Sequence, residues 1–141
     1  MIIPDVNVLL YAINSSAPHH AASRDWLETS LNGTETIGFD WVVLLGFLRI
    51  ATNRTILPTP LSTSGAWDII DGWIRQSVAD VVTPPPGHAV RLRAVTESAG
   101  AGNLTTDAHI AAMALGLGAR ICSYDRDFER FDGIVRIEPG R

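Results

Sequence analysis

Three aspartates stand where acid chemistry could be built. Asp5 closes the apolar run Met1-Ile2-Ile3-Pro4, and Asp125 closes the run Ala119-Arg120-Ile121-Cys122-Ser123-Tyr124. Asp107 falls in the first turn of an expected helix, within Leu104-Thr105-Thr106-Asp107-Ala108-His109. Short β-rich runs at the two ends of a small chain suggest neighbouring parallel strands, and in open α/β sheets sites form at the carboxyl ends of such strands. Three carboxylates meeting there cannot all ionise without a compensating cation. A hard divalent ion with oxygen ligands, Mg2+ or Mn2+, is the simplest compensation. Metal-assisted phosphodiester chemistry is therefore the first expectation. Each acid also has a plainer reading. Asp5 is a natural N-cap after a strand, Asp107 is a favoured charge in a first helical turn, and Asp125 and Asp127 can cap the short helix after them. The combination is more specific than its parts, because the chain has no lysine to neutralise such a cluster.

All 11 basic residues are arginine. That excludes a phosphate loop of the lysine type and a pyridoxal Schiff base. The net charge of -4 argues against non-specific coating of nucleic acid, so any such contact must come from a local arginine patch. Arg49 and Arg54, near Asp40 in sequence, and Arg91 and Arg93 are the candidate phosphate contacts, although a solvated surface charge is the commoner reading of each. His109 lies two positions after Asp107, about 200° round a helix, and reads as a surface or packed histidine pointing away from it. His19, His20 and His88 have no partner at metal-ligand spacing. Ser123 and Cys122 lack the context of a nucleophile elbow. The single cysteine excludes an internal disulfide, reads as a buried strand residue and fits a reducing cytoplasm. No apolar stretch reaches the roughly 18 residues of a membrane span, and no signal peptide is expected.

The elements that must position these residues alternate along the chain. Strands are expected at 1–4, 34–39, 80–83, 119–123 and 134–137. Helices are expected after Asp5, over 19–31 with Ala22, Trp26 and Leu27 inward, and over 41–52 behind an Asp40 N-cap. Further helices are expected over 62–76, 87–99 and 107–115, the last capped by Thr105 or Thr106, with a short one at 126–131. The segment 41–52 is apolar almost all round until Arg49 and should be buried. Trp26, Trp41, Trp67 and Trp73 read as core, with partial exposure for one or two. Prolines at 58, 60 and 84–86 mark loops, and neither side of them could build a core alone. The order predicts an α/β fold, a parallel sheet with helices on both faces, in one domain spanning 1–141.

At these residues the chain resembles the PIN-domain ribonucleases, specifically the VapC toxins of type II toxin–antitoxin systems. The resemblance rests on Asp5-Val6-Asn7-Val8-Leu9-Leu10-Tyr11-Ala12, on Phe47-Leu48-Arg49-Ile50-Ala51-Thr52-Asn53 with Pro58, on Gly102-Asn103-Leu104-Thr105-Thr106-Asp107-Ala108-His109-Ile110-Ala111-Ala112, and on Ser123-Tyr124-Asp125-Arg126-Asp127-Phe128. It implies a PIN-like fold with a central parallel sheet of about five strands and a Mg2+- or Mn2+-dependent endoribonuclease acting on structured RNA such as tRNA or rRNA. It also implies a homodimer and a cognate VapB-type antitoxin reaching the acidic site. Asp5, Asp107 and Asp125 map onto three of the family's site acids, with Asp127 as a helper that orients water. One departure matters: the family often carries a glutamate where this chain has Gly46, with Asp40 the candidate substitute acid. A catalytically weakened PIN-fold module that only binds RNA or protein is thus the alternative. A haloacid-dehalogenase-like phosphatase is remote, since it wants an acid at Asn7 and a lysine.

Overall fold

The computed structural model describes residues 1–141. Five parallel strands form one sheet: β1 (Ile2–Pro4), β2 (Ile37–Asp40), β3 (Ala79–Val82), β4 (Arg120–Cys122) and β5 (Arg136–Ile137), in the spatial order β3-β2-β1-β4-β5. Six α-helices connect them: α1 (Val6–Ile13), α2 (His20–Leu31), α3 (Trp41–Ala51), α4 (Thr63–Ile74), α5 (His88–Ala99) and α6 (Thr105–Leu117). The chain steps outward from β1 to β2 to β3, then crosses back to β4 and steps outward the other way. Right-handed crossovers therefore place α1–α4 on one face and α5 and α6 on the other. The packing agrees: α1 lies on α2 and α3, α3 on α4, and α5 on α6. The reversal falls between β1 and β4, the two central strands, and Asp5 and Asp125 follow those strands. This is the position at which open parallel sheets form ligand crevices.

A single cluster of 27 buried apolar residues fills both layers, with Ile3, Phe39 and Ile121 of the sheet fully buried between Phe47 on one side and Ile110 and Met113 on the other. Because both faces are covered, β1 and β2 are buried along their whole length rather than alternating. Asp5 and Asp40 cap the helices that follow these strands: Asp5 Oδ1 accepts from Val6 N at 2.7 Å and Asp40 Oδ1 from Val42 N at 2.8 Å.

Three expectations change in the structure. The buried stripe of α2 is Ser23, Leu27 and Leu31, with Ala22 and Trp26 only partly covered. The stripe is turned by one residue because it must meet α1, and no local signal sets that. Helix α3 is not buried all round: Val43, Leu44, Phe47 and Ala51 face the core, while Trp41 and Leu45 are 45% and 55% exposed. Helix α6 begins at Thr105 itself, after a 3-10 turn at Gly102–Leu104, with no side-chain cap, so neither Thr105 nor Thr106 caps it. Thr105 Oγ1 instead donates back to the Gly102 carbonyl at 2.8 Å. Of the tryptophans, Trp73 packs against Phe39 and Phe47, whereas Trp41 and Trp67 are partly exposed. No helix is long and apolar enough to cross a membrane.

Candidate active site

Asp5 is 5% exposed, and its carboxylate is held from three directions. Oδ1 accepts from Val6 N, and Oδ2 accepts from Ser123 Oγ at 2.6 Å and from Asn7 Nδ2 at 2.7 Å. Asn7 Nδ2 also donates to Ser123 Oγ at 3.0 Å, and Ser123 Oγ receives Asp125 N at 2.9 Å. One short network thus locks the loop after β1 to the loop after β4. A carboxylate offers about four lone-pair sites, so one on Oδ1 stays free for an outside ligand. Burial drives the Asp5 carboxyl above the ordinary range; the bonds from Ser123 and Val6 oppose that rise, and the charge of Asp125 adds to it.

Asp107 enters from the first turn of α6, and Asp125 from the loop after β4, where its Oδ1 accepts Asp127 N at 2.8 Å. Asp107 titrates at about 6, pushed up first by burial and then by the charges of Asp5, Asp125 and Asp127. The four sequence-predicted acids therefore share one electrostatic field, although they come from three separate stretches of chain. Asp5 and Asp107 border a cleft of about 300 Å³ walled by Val6, Val42, Gly46 and Arg49. Arg49, alone among the four candidate phosphate contacts, lies in this cleft. Arg91 is withdrawn from that role: its guanidinium donates to the carbonyls of Pro85 and Pro86 at 3.1 and 2.7 Å, under Gly116, where a Cβ would come within 2.7 Å of Pro85. Arg93 pairs with Glu97 on the exposed side of α5, and Arg54 lies in the loop beyond α3.

Asp40 does not join the cleft. Its Oδ1 caps α3, and its Oδ2 pairs with His109 Nε2 at 3.0 Å, while His109 Nδ1 meets His88 Nε2 at 3.0 Å. Both carboxylate oxygens are therefore committed elsewhere. His109 is packed and turned away from Asp107. His88, which sequence spacing could not connect to it across 21 positions, completes the chain. Burial, then the charges of His109 and Arg91, hold His88 below its ordinary pKa.

The donors are of the kind that hold a divalent ion. The set is all carboxylate oxygen, with one free lone pair aimed from Asp5 and an acid at Asp107 whose ionisation is resisted by its neighbours; that chemistry suits a hard cation. No three of these side chains stand at metal-holding spacing in this structure. A Cβ at Gly46 would meet only Val6 Cγ2 at 3.4 Å, ordinary contact, so this wall of the cleft has room for a side chain it does not carry.

A doubly wound parallel sheet with carboxylates gathered at its switch point defines an α/β domain with an acidic cleft. The chain belongs to the PIN-domain family, whose model, described as "PIN domain", matches residues 2–134. It is 43% identical over 140 residues to Ribonuclease VapC37 of Mycobacterium tuberculosis (strain ATCC 25618 / H37Rv), covering 99% of this chain and 97% of that one. It is 38% identical over 142 residues to Ribonuclease VapC33 of the same strain, covering 100% and 99%. Among solved structures, the fold is similar to that of VapBC2 from Rickettsia felis bound to a DNA fragment from its promoter (TM-score 0.72, 18% identity, 99% of each chain). It is also similar to VapC20 of Mycobacterium tuberculosis, described as a Sarcin-Ricin loop cleaving toxin (TM-score 0.71, 15% identity, 99% and 100%). At these identities the structural likeness speaks for the fold.

Proposed function

We propose that this chain is the toxic endoribonuclease of a VapBC-type module. It hydrolyses phosphodiester bonds in structured RNA such as tRNA or rRNA, and a cognate VapB-type antitoxin neutralises it. The observation that carries the reading is the convergence of Asp5, Asp107, Asp125 and Asp127 at the switch point, where burial first and then the charges of the other three raise Asp107 to about 6. Relatives named as VapC ribonucleases along nearly the full chain support it. Residues 1–141 act as one PIN domain, cytoplasmic and homodimeric.

Asp5, Asp107 and Asp125 would hold Mg2+ or Mn2+. When bound there, such an ion would supply Lewis acidity for phosphodiester hydrolysis. The remaining steps belong to the chain. Ser123 and Asn7 fix the Asp5 carboxylate so that its free lone pair points one way. Asp127, tied through its backbone to Asp125, orients the water and accepts its proton. Arg49 in the cleft wall steadies charge on the non-bridging oxygens.

The binding-module reading draws on Gly46 and on the absence of three groups at metal-holding spacing. Mapping new 5′ ends in total RNA after brief expression separates the two. Wild type is compared with Asp107→Asn, in Mg2+ or Mn2+ and then with EDTA. Discrete ends that need both Asp107 and the ion establish the nuclease; their absence from a folded, ion-bound protein establishes the binding module.

A further inference from the structure

A second concave surface shares no residue with the acid cleft. The His19 ring stacks on Tyr124 with centroids 4.2 Å apart and planes 20° apart, and Tyr11 leans on both at 5.6 and 5.5 Å. The stack is held rigidly from below. Tyr124 OH is hydrogen-bonded to Ser23 Oγ at 3.0 Å, and Ser23 is fully buried. Tyr124 N donates to Asn7 Oδ1 at 3.4 Å. His19 itself is exposed, precedes α2 and makes no capping bond with its side chain, so the helix does not depend on its ring. The cavity beside it, about 280 Å³, is rimmed by Arg126 and Arg141, whose side chains are 81% and 79% exposed and pair with Glu129 at 3.6 Å and Glu138 at 3.3 Å, and floored by Arg136, which the same two glutamates pin in place.

Aromatic rings with an exposed face beside solvent-exposed arginines are what proteins use to hold unpaired bases and their phosphates. The placement relative to the acids is also fixed. Tyr124 is the residue before Asp125, and Asn7, which receives Tyr124 N, is the same side chain that donates to Asp5 Oδ2. In a chain of net charge -4, such a local patch is where affinity for a polyanion must come from.

We propose that Tyr11, His19 and Tyr124, with Arg126 and Arg141 at the rim, form a stacking subsite for one unpaired base and its phosphate, in the RNA segment adjoining the bond to be cut. The proposal rests on the endoribonuclease reading. A partner protein offering an acidic peptide would use the arginines but not the ring face, and the test separates the two.

The probe is a short fluorescein-labelled single-stranded RNA of mixed sequence, read by anisotropy with the full chain in EDTA, beside its duplex form and an abasic version. His19→Ala is expected to weaken binding of the base-carrying strand roughly 5- to 100-fold, to leave the abasic strand unchanged, and to melt at the wild-type temperature. Tyr124→Phe keeps the ring and keeps binding, whereas Tyr124→Leu loses it. Arg126→Ala weakens base-carrying and abasic strands alike and lowers the salt slope by about 1. With metal restored, His19→Ala raises KM and leaves kcat within a few fold. The subsite is overturned if His19→Ala binds like wild type, or if duplex or abasic strands bind as tightly as the single strand. If discrete Asp107-dependent RNA ends persist alongside that result, only the subsite falls. If wild type neither binds nor cuts RNA, the nuclease reading falls with it.

Discussion

Asp5 and Asp40 begin as the same local device and end as different chemistry. Both stand at the carboxyl end of a buried strand, both cap the next helix through Oδ1, and both are buried, at 5% and 4% exposure. They part at Oδ2. For Asp40 it meets His109, which is backed by His88, a local arrangement in which a buried acid is fully partnered. For Asp5 it meets only neutral donors, Ser123 and Asn7, and three further acids face the same space. A buried carboxylate satisfied by a partner contributes to the fold; one left among its own kind stores repulsion that a cation can relieve. Function thus tracks what faces the second oxygen rather than the capping motif.

Breaking the comparison at its active end carries the largest effect. Asp5→Asn keeps the cap and most of the network but removes the charge, and cleavage of total RNA should fall on the order of 10²- to 10³-fold, the scale of losing one group that stabilises transition-state charge. Asp5→Asn retaining near-wild-type cleavage would sink the catalytic assignment. At the other end, Asp40→Ala removes a cap and strands His109, so denaturant unfolding should show a loss of about 2–3 kcal/mol. Its cleavage rate at a temperature where it is folded should stay within a few fold of wild type; a loss matching that of Asp5→Asn would place Asp40 in the site after all.

Gly46→Glu sharpens the contrast by adding an acid to the cleft wall, where a Cβ meets only Val6 at 3.4 Å. Metal affinity, read by calorimetry, should rise roughly 10-fold, in line with what added ligand-shell groups contribute. The helix-propensity gain of roughly 0.5 kcal/mol over glycine offsets part of the added repulsion in the metal-free protein. Unchanged affinity would mean that position 46 does not face the ion.

The smallest effect is on metal-free stability. The folded-state value of Asp107, about 6, lies above its ordinary 3.8. The folded protein therefore holds this proton more tightly than the unfolded chain, and its contribution to stability is lost as pH rises from 3.8 toward 6 and stays lost above. In EDTA, Asp107→Asn should be more stable than wild type at pH 7 by up to about 1 kcal/mol, after allowing for solvent screening of a half-exposed group. The two proteins should converge at pH 4. A melting temperature lowered by the substitution at pH 7 would contradict the repulsion.

Much of the fold and most of the acids were legible in the residues. Alternating apolar runs and caps located all five strands and six helices, and the strand-end positions of Asp5 and Asp125 marked the edge where a crevice forms. Less legible were the residues whose roles depend on neighbours far along the chain. His88 and Arg91 sit on an exposed-looking helix; only the packing of α5 on α6 turns one toward His109 and the other onto Pro85 and Pro86. The outer side of α3, with Trp41 and Leu45 exposed, defeated a periodicity argument because a helix apolar all round does not say which side the sheet will take.

By itself the sequence determined what local chemistry can determine: which segments extend or coil, where most helices begin, and that no lysine is available to neutralise carboxylates gathered at the strand ends. The tertiary structure decided which carboxylates share a field. Strand order β3-β2-β1-β4-β5 sets β4 beside β1, so Asp5 and Asp125 meet across 120 residues of chain while Asp40, one strand over, falls to His109. The physical reason is range: capping and propensity act over a turn or two of backbone, whereas a pKa near 6 at Asp107 comes from burial, and then from the charges of distant acids, that only the folded sheet supplies.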